Sequence, residues 1–148
     1  MGVNLSKLEL EDYKVQEFCI SMSVRDRISN FRWLIVMVYG PSQHDKSRDV
    51  LYELSQIYEK ATLPIILGGD FNLIREISDK NSDNHNQTLM DKFNDFIGDY
   101  QLRELKRSGQ KYTWTNKQEN LVLVNLDRVF SPWGGRKNSL YLSLGVLL

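Results

Sequence analysis

The sequence predicts an α/β protein built around a parallel pair of strands, on three observations. The run FRWLIVMVY (31–39) is apolar on both alternating faces, the pattern of a strand buried on both sides. Between Asp45 and Lys60, Val50, Leu51, Leu54, Ile57 and Tyr58 recur at helical spacing and form one apolar face. Pro64 then closes the connection, and Ile65–Leu67 opens a further strand. Strand, helix and strand in that order bring the chain back parallel to itself. The 148 residues suffice for one domain with a real core.

The flanking elements follow in order. From Val15 to Val24 the chain alternates, with Phe18, Ile20, Met22 and Val24 on one side and Glu17, Ser21 and Ser23 on the other. This is the pattern of a half-buried strand. Arg25–Asn30 is polar and reads as a hairpin connection, and Pro41 with Ser42 stops the long apolar strand. Residues 75–87 are polar and loop-like. Thr88 and Asp91 form a helix-start signature ahead of the stripe Leu89, Met90, Phe93, Phe96 and Ile97, and Gly98 is placed to end that helix. Lys111–Thr115 and Leu121–Phe130 have strand composition, separated by the turn Asn116–Asn120. The final NSLYLSLGVLL is apolar and uncharged, consistent with a last strand or with sequence foreign to the domain.

Composition narrows the function classes. A charged fraction of 26% and the lack of a bilayer-length apolar run exclude a helical membrane protein. The opening MGVNLSKLELED is too acidic for a signal peptide, so synthesis in the cytosol is expected and the sequons at Asn4 and Asn86 are expected to stay unused. The lone Cys19 sits in a strand-like run and reads as a small buried hydrophobe. No Cys/His cluster suggests zinc, and His44 and His85 both sit in polar segments as solvated loop residues. Zero net charge argues against general coating of DNA, whose affinity comes from excess positive charge.

Four places carry residues suited to chemistry. In ILGGDFN (66–72), Asp70 and Asn72 lie two apart, so an extended chain would project them to one side, and Gly68 and Gly69 admit a close neighbour. A carboxylate there can bind Mg²⁺ or take a proton from water, and the amide can hold that water. The same residues also make ordinary turns. Tyr39, in VYGP, could donate its phenol to a phosphate or serve as strand-end packing. In YTWTN, the Thr113 hydroxyl could touch a phosphate and the Trp114 indole could lie beside a sugar or base, although both suit a plain strand. Asp127, between Leu126 and Phe130, needs a partner for its charge, and its neighbour Arg128 should point the opposite way. Orienting a histidine and bonding to backbone amides explain Asp127 equally well.

In order along the chain, VYGP (38–41), ILGGDFN (66–72), KYTWTN (111–116) and LDRVFS (126–131) resemble the endonuclease/exonuclease/phosphatase family. More narrowly they resemble the endonuclease domain of plant LINE-type non-LTR retrotransposons, and FNLIREISDKN, LMDKFNDFI and LRELKRSGQKYTWTNK agree. The resemblance covers roughly residues 10–133. It implies a two-sheet α/β sandwich and Mg²⁺-dependent hydrolysis of a DNA phosphodiester by in-line attack of water. On that scheme Asp70 activates the water, Asn72 positions it, and Tyr39 contacts the scissile phosphate. Thr113 stands on the phosphate side, with Trp114 beside it at the substrate, and Asp127 orients a catalytic histidine. The resemblance further implies DNA as partner, a reverse transcriptase region in the same polyprotein, and a nuclear place of action.

The same family pattern places an Asn and a metal-binding Glu ahead of VYGP, and Ser-Asp-His beyond LDRVFS. Glu9, Glu11 and Glu17 stand in other contexts, and no Asp, Glu or His follows Asp127. The expectation is a partial domain over residues 1–133 with a divergent apolar tail at 134–148. Asp70 would be left as a lone, weak Mg²⁺ ligand, and sheet edges and core faces would be left uncovered. Little or no turnover is expected. The alternatives are a phosphatase of small phosphoesters and a non-enzymatic relic or interaction module.

Overall fold

The structure, a computed structural model, describes residues 6–105, 109 and 111–132. Its strands are β1 (Leu8–Val15), β2 (Cys19–Asp26), β3 (Arg32–Tyr39), β4 (Ile65–Asp70), β5 (Leu102–Glu104), β6 (Trp114–Thr115), β7 (Leu123–Val124) and β8 (Asp127–Pro132). The helices are α1 (Ser47–Lys60) and α2 (Gln87–Asp99). Six strands form one sheet in the order β1-β2-β3-β4-β8-β5, and β6 pairs with β7 in a second, two-stranded sheet. β3 and β4 are parallel, joined through α1 as the strand–helix–strand pattern requires, and the other pairs are antiparallel.

The run that is apolar on both faces lies inside the six-stranded sheet, and the two faces bury different things. Val36 and Val38 of β3 join Ile65 and Leu67 of β4 under Val50, Leu51 and Leu54 of α1 and Leu89, Phe93, Phe96 and Ile97 of α2. The opposite face holds Trp33, Ile35 and Ile66 with Leu8 and Val24, and among the described residues no helical residue joins that cluster. Burying a large aliphatic or aromatic side chain contributes roughly 1.5–3 kcal/mol, so the helix side carries most of the cohesion. Among the described residues no helix is long and apolar enough to cross a membrane. Cys19 is buried, and burial beside Glu53 pushes its thiol far above the usual range.

Several sequence expectations shift. A first strand, β1, precedes the one expected at 15–24, which runs instead over Cys19–Asp26. Met22 and Val24 do share the helix-free cluster, but Phe18 sits in the turn before β2 and packs on the helix side. Asp26 ends the strand by accepting the N–H groups of Ile28 (2.8 Å) and Ser29 (3.3 Å), so the hairpin turn begins at Arg27, two residues later than expected. The start of α2 is set by Asn86, whose side chain accepts from Leu89 N at 3.1 Å, and not by Thr88. Gly98 stays inside α2, and Gln101 takes the left-handed conformation beyond it (φ 50°). The run 121–130 divides between two sheets, because the chain turns at Asn125 and Leu126 from β7 to β8. The tail at 134–148 lies outside the described residues.

Candidate active site

Three candidate side chains meet because three strands are in register. Tyr39 of β3 stands beside Asp70 of β4, and Asp70 stands opposite Asp127 of β8. Residues paired in this way project from the same face of a sheet. Alternation assigns that face: Trp33, Ile35 and Ile66 belong to the helix-free side, and Tyr39 and Asp70 follow them at even spacing. Tyr39 is 80% exposed, whereas Asp70 and Asp127 are half-buried.

Two glycines make this lip possible. Gly69 has φ +128°, and a Cβ there would stand 2.2 Å from the Val38 carbonyl oxygen. A Cβ on Gly40 would stand 2.2 Å from the Phe71 carbonyl oxygen, and Gly40 N donates to Asp70 O at 2.6 Å. The strand ends of VYGP and GGDFN therefore touch backbone to backbone. Between Asp70 and Asn72, Phe71 drives into the helix-side core against Phe93 (5.2 Å between ring centroids) and Phe130 (5.6 Å). That anchor holds the two polar residues at the surface.

Asp70 and Asn72 are neighbours, but not for the reason the spacing suggests. The strand stops at Asp70, and Asn72 is left-handed (φ 50°). A turn joins them: Asn72 N donates to Asp70 Oδ1 at 2.9 Å. The turn and the functional readings of this segment thus describe one geometry. Asn72 Nδ2 donates to Gly40 O at 2.6 Å, which fixes the amide orientation and leaves Oδ1 as an acceptor for a ligand or water. Burial pushes the Asp70 carboxyl above the usual range, the Asn72 N–H opposes this, and the Asp127 charge reinforces it.

Thr113 reaches the row through the backbone. Its Oγ1 accepts from Leu126 N (2.9 Å) and Asp127 N (3.1 Å), and its hydroxyl proton stays available to a phosphate. Asp127 uses neither of its two anticipated partners: among the described residues no hydrogen bond reaches its carboxylate, and no histidine stands beside it. His44 lies in a short exposed turn of 3₁₀-helix, and His85 bonds to Asp83 O at 2.9 Å. Trp114, on β6 and 46% exposed, stays outside the network. Glu9 and Glu11 are occupied elsewhere: Glu9 pairs with Arg25, and Glu11 pairs with Arg25 (3.3 Å) and Arg32 (2.7 Å).

Arg128 does point away from Asp127, as alternation predicts. It is buried and pairs with Asp79 and with Glu104 (2.6 Å). Asp79 is the residue that the sequence reading missed, because it sits in a polar loop. The available signal was Arg128 itself, since a guanidinium in an apolar strand needs a buried carboxylate. A cleft of about 520 Å³ opens here, lined by Asp79, Glu104, Thr113, Asn125, Asp127 and Arg128 among others.

The donors on the row are all oxygens: two carboxylates, an amide oxygen and a phenol. This is the donor chemistry of a hard divalent cation, which uses one or two carboxylates and completes its shell with water and substrate phosphate. Among the described residues no group of three or more His, Cys, Asp or Glu gathers.

A sequence model described as endonuclease-reverse transcriptase matches residues 33–131. No curated protein matches the chain. Among solved structures, the endonuclease domain of TRAS1, a telomere-specific non-LTR retrotransposon, aligns with TM-score 0.68 and 16% identity over 85% of this chain and 56% of that one. TDP2 of D. rerio, complexed with a single-strand DNA product, gives 0.56 and 15% over 86% and 55%. A mannosyl-6-phosphatase of Bacteroides thetaiotaomicron gives 0.56 and 13% over 87% and 54%. At such identities the likeness is one of fold, and the chain spans about half the length of these proteins.

Proposed function

We propose, because this chain belongs to the endonuclease-reverse transcriptase family within the endonuclease/exonuclease/phosphatase fold, that its carboxylate row is the phosphodiester-hydrolysing centre of a retrotransposon DNA endonuclease. The observation that carries this reading is the register of Tyr39, Asp70 and Asp127 on one face at the ends of three adjacent strands. Asp70 accepts a proton from water as the water oxygen attacks phosphorus and the bond to the leaving sugar oxygen breaks. Its raised pKa suits a group that must gain a proton. Asn72 Oδ1, free because Nδ2 is bonded to Gly40, accepts a hydrogen bond from the same water. The phenol of Tyr39 and the hydroxyl of Thr113 donate to non-bridging phosphate oxygens.

Asp70 and Asp127 are the residues that would hold Mg²⁺, which supplies Lewis-acid polarisation of the phosphate. With two carboxylates and no histidine at the row, cation affinity is low. Lacking an acid–base partner costs about 10²–10⁴ in rate, so the chain alone turns over slowly or not at all. Its substrate on this reading is DNA in the nucleus, and its partner in an intact element is a reverse transcriptase region of the same polyprotein.

Nicking of supercoiled plasmid in Mg²⁺ tests this reading. The expected result is at most a trace of nicking that Asp70→Ala removes. Brisk nicking lost in Asp70→Ala would keep the site and overturn the low activity. Brisk nicking indifferent to Asp70→Ala, or turnover of a soluble phosphomonoester with no effect on DNA, would overturn the assignment.

A further inference from the structure

We propose that Asp79 is a positioning residue for Asp127, fixing the corner between β7 and β8 so that this carboxylate stands beside Asp70. The inference rests on the phosphodiester reading above and extends it to a residue outside the row. Asp79 is buried, at 4% exposure. Its Oδ2 accepts from the backbone N–H of Arg75 (2.8 Å) and Glu76 (3.1 Å), which locks the carboxylate to its own loop. From there it reaches across to the strand that carries Asp127. Asn125 Nδ2 donates to Oδ1 at 3.2 Å, Arg128 Nη2 donates to Oδ2, and Asn125 N donates to the Asp79 carbonyl at 2.8 Å.

These ties bracket Asp127. Asn125 and Arg128 are held by Asp79, while Leu126 and Asp127 are held by Thr113 Oγ1. Phe71 N, one residue beyond Asp70, donates to Leu126 O at 3.2 Å and joins the same corner to the Asp70 turn. Glu104 also neutralises Arg128, but of the two carboxylates on Arg128 it is Asp79 that additionally grips Asn125. Neutralising a buried guanidinium does not require that second grip, whereas fixing the corner does.

Hydrogen exchange in the full chain, followed by NMR, tests the role against a matched lesion. Asp79→Asn removes the charge that meets Arg128 and, with its oxygen held by the Arg75 and Glu76 N–H groups, turns an NH2 donor towards Asn125 Nδ2, so the side-chain grip is lost. Arg75→Gln cuts the ion pair to Glu104 (2.6 Å) and the Nε bond to Asn94 (3.0 Å) but leaves every tie of Asp79 to residues 125–128. Asp79→Asn is expected to speed exchange at the Leu126 and Asp127 amides by about tenfold beyond any change in global protection, whereas Arg75→Gln shifts them only with global stability. Equal, global effects of the two substitutions would overturn the proposal. Should Asp79→Asn not fold, Asn125→Ala removes the side-chain grip alone and leaves all ion pairs in place. The same two amides must then exchange faster, and unchanged local protection would overturn the role. Addition of Mn²⁺ separates this from the underlying reading: broadening absent from Asp70 and Asp127 in the unsubstituted chain overturns the metal-dependent centre, while exchange alone judges Asp79.

Discussion

Asp127 and Arg128 are consecutive residues that lead into opposite electrostatic worlds. Arg128 enters a closed set in which two carboxylates, Asp79 and Glu104, meet two guanidinium groups, Arg75 and Arg128. Asp127 enters a row where its cross-strand partner, Asp70, has the same sign, and among the described residues no Lys or Arg forms an ion pair with either. Charges paired in this way serve to hold a structure, although Arg128 Nε is left buried without a hydrogen-bond partner among the described residues. Like charges set side by side store a cost that a cation or a proton relieves. One strand thus separates scaffold from site by alternation alone, and each side can be broken separately.

The largest effect belongs to the scaffold. Arg128→Met removes the guanidinium between two carboxylates and leaves Asp79 buried without its cation. Breaking a buried pair from one side costs about 3–5 kcal/mol, so the urea midpoint should fall steeply. A midpoint near that of the unsubstituted chain would show that the set is not closed. Next comes the lip itself. Gly69→Ala forces a Cβ against the Val38 carbonyl at a φ of +128°. A loss of about 2–3 kcal/mol is expected, read by the same denaturation. Thr113→Val follows, because it strands the N–H groups of Leu126 and Asp127. It should cost about 1–2 kcal/mol, while Thr113→Ser, which keeps the acceptor, should cost little.

The two regions also differ in how far the sequence discloses them. The row was legible because its members sit in strong contexts: a doubly apolar strand before Tyr39, and a glycine pair before Asp70. Its partners could be ordered by family resemblance even though nothing local links residue 39 to residue 127. The mechanism of adjacency was not legible. Asn72 meets Asp70 through a left-handed turn, which two-residue spacing in a strand does not describe. Asp79 was legible only through Arg128, since an acid in REISDKN looks solvated until the chain folds that guanidinium over it. The run 121–130 looked continuous because Asn125 and Leu126 carry no glycine or proline to mark the corner. Hydrogen bonds to Asp79 and Thr113, 46 and 13 residues away, turn the chain there.

The smallest effect sharpens the contrast most, because its sign is opposite. Burial and Asp127 raise the pKa of Asp70 in the folded chain, so the folded state binds that proton more tightly than the unfolded one. Ionisation therefore costs stability. The cost is absent below the unfolded carboxylate pKa, grows as pH rises towards the raised folded value, and is complete above it. Asp70→Asn abolishes the charge yet keeps an oxygen for the Asn72 N–H. In EDTA at neutral pH it should raise Tm by about 2 °C, and the gain should vanish on acidification below the ordinary carboxylate range. Divalent cation should reverse the order, since only the carboxylate gains by binding it. A substitution that lowered Tm at every pH would place Asp70 among the matched charges of the scaffold, and the division between the two faces of β8 would be lost.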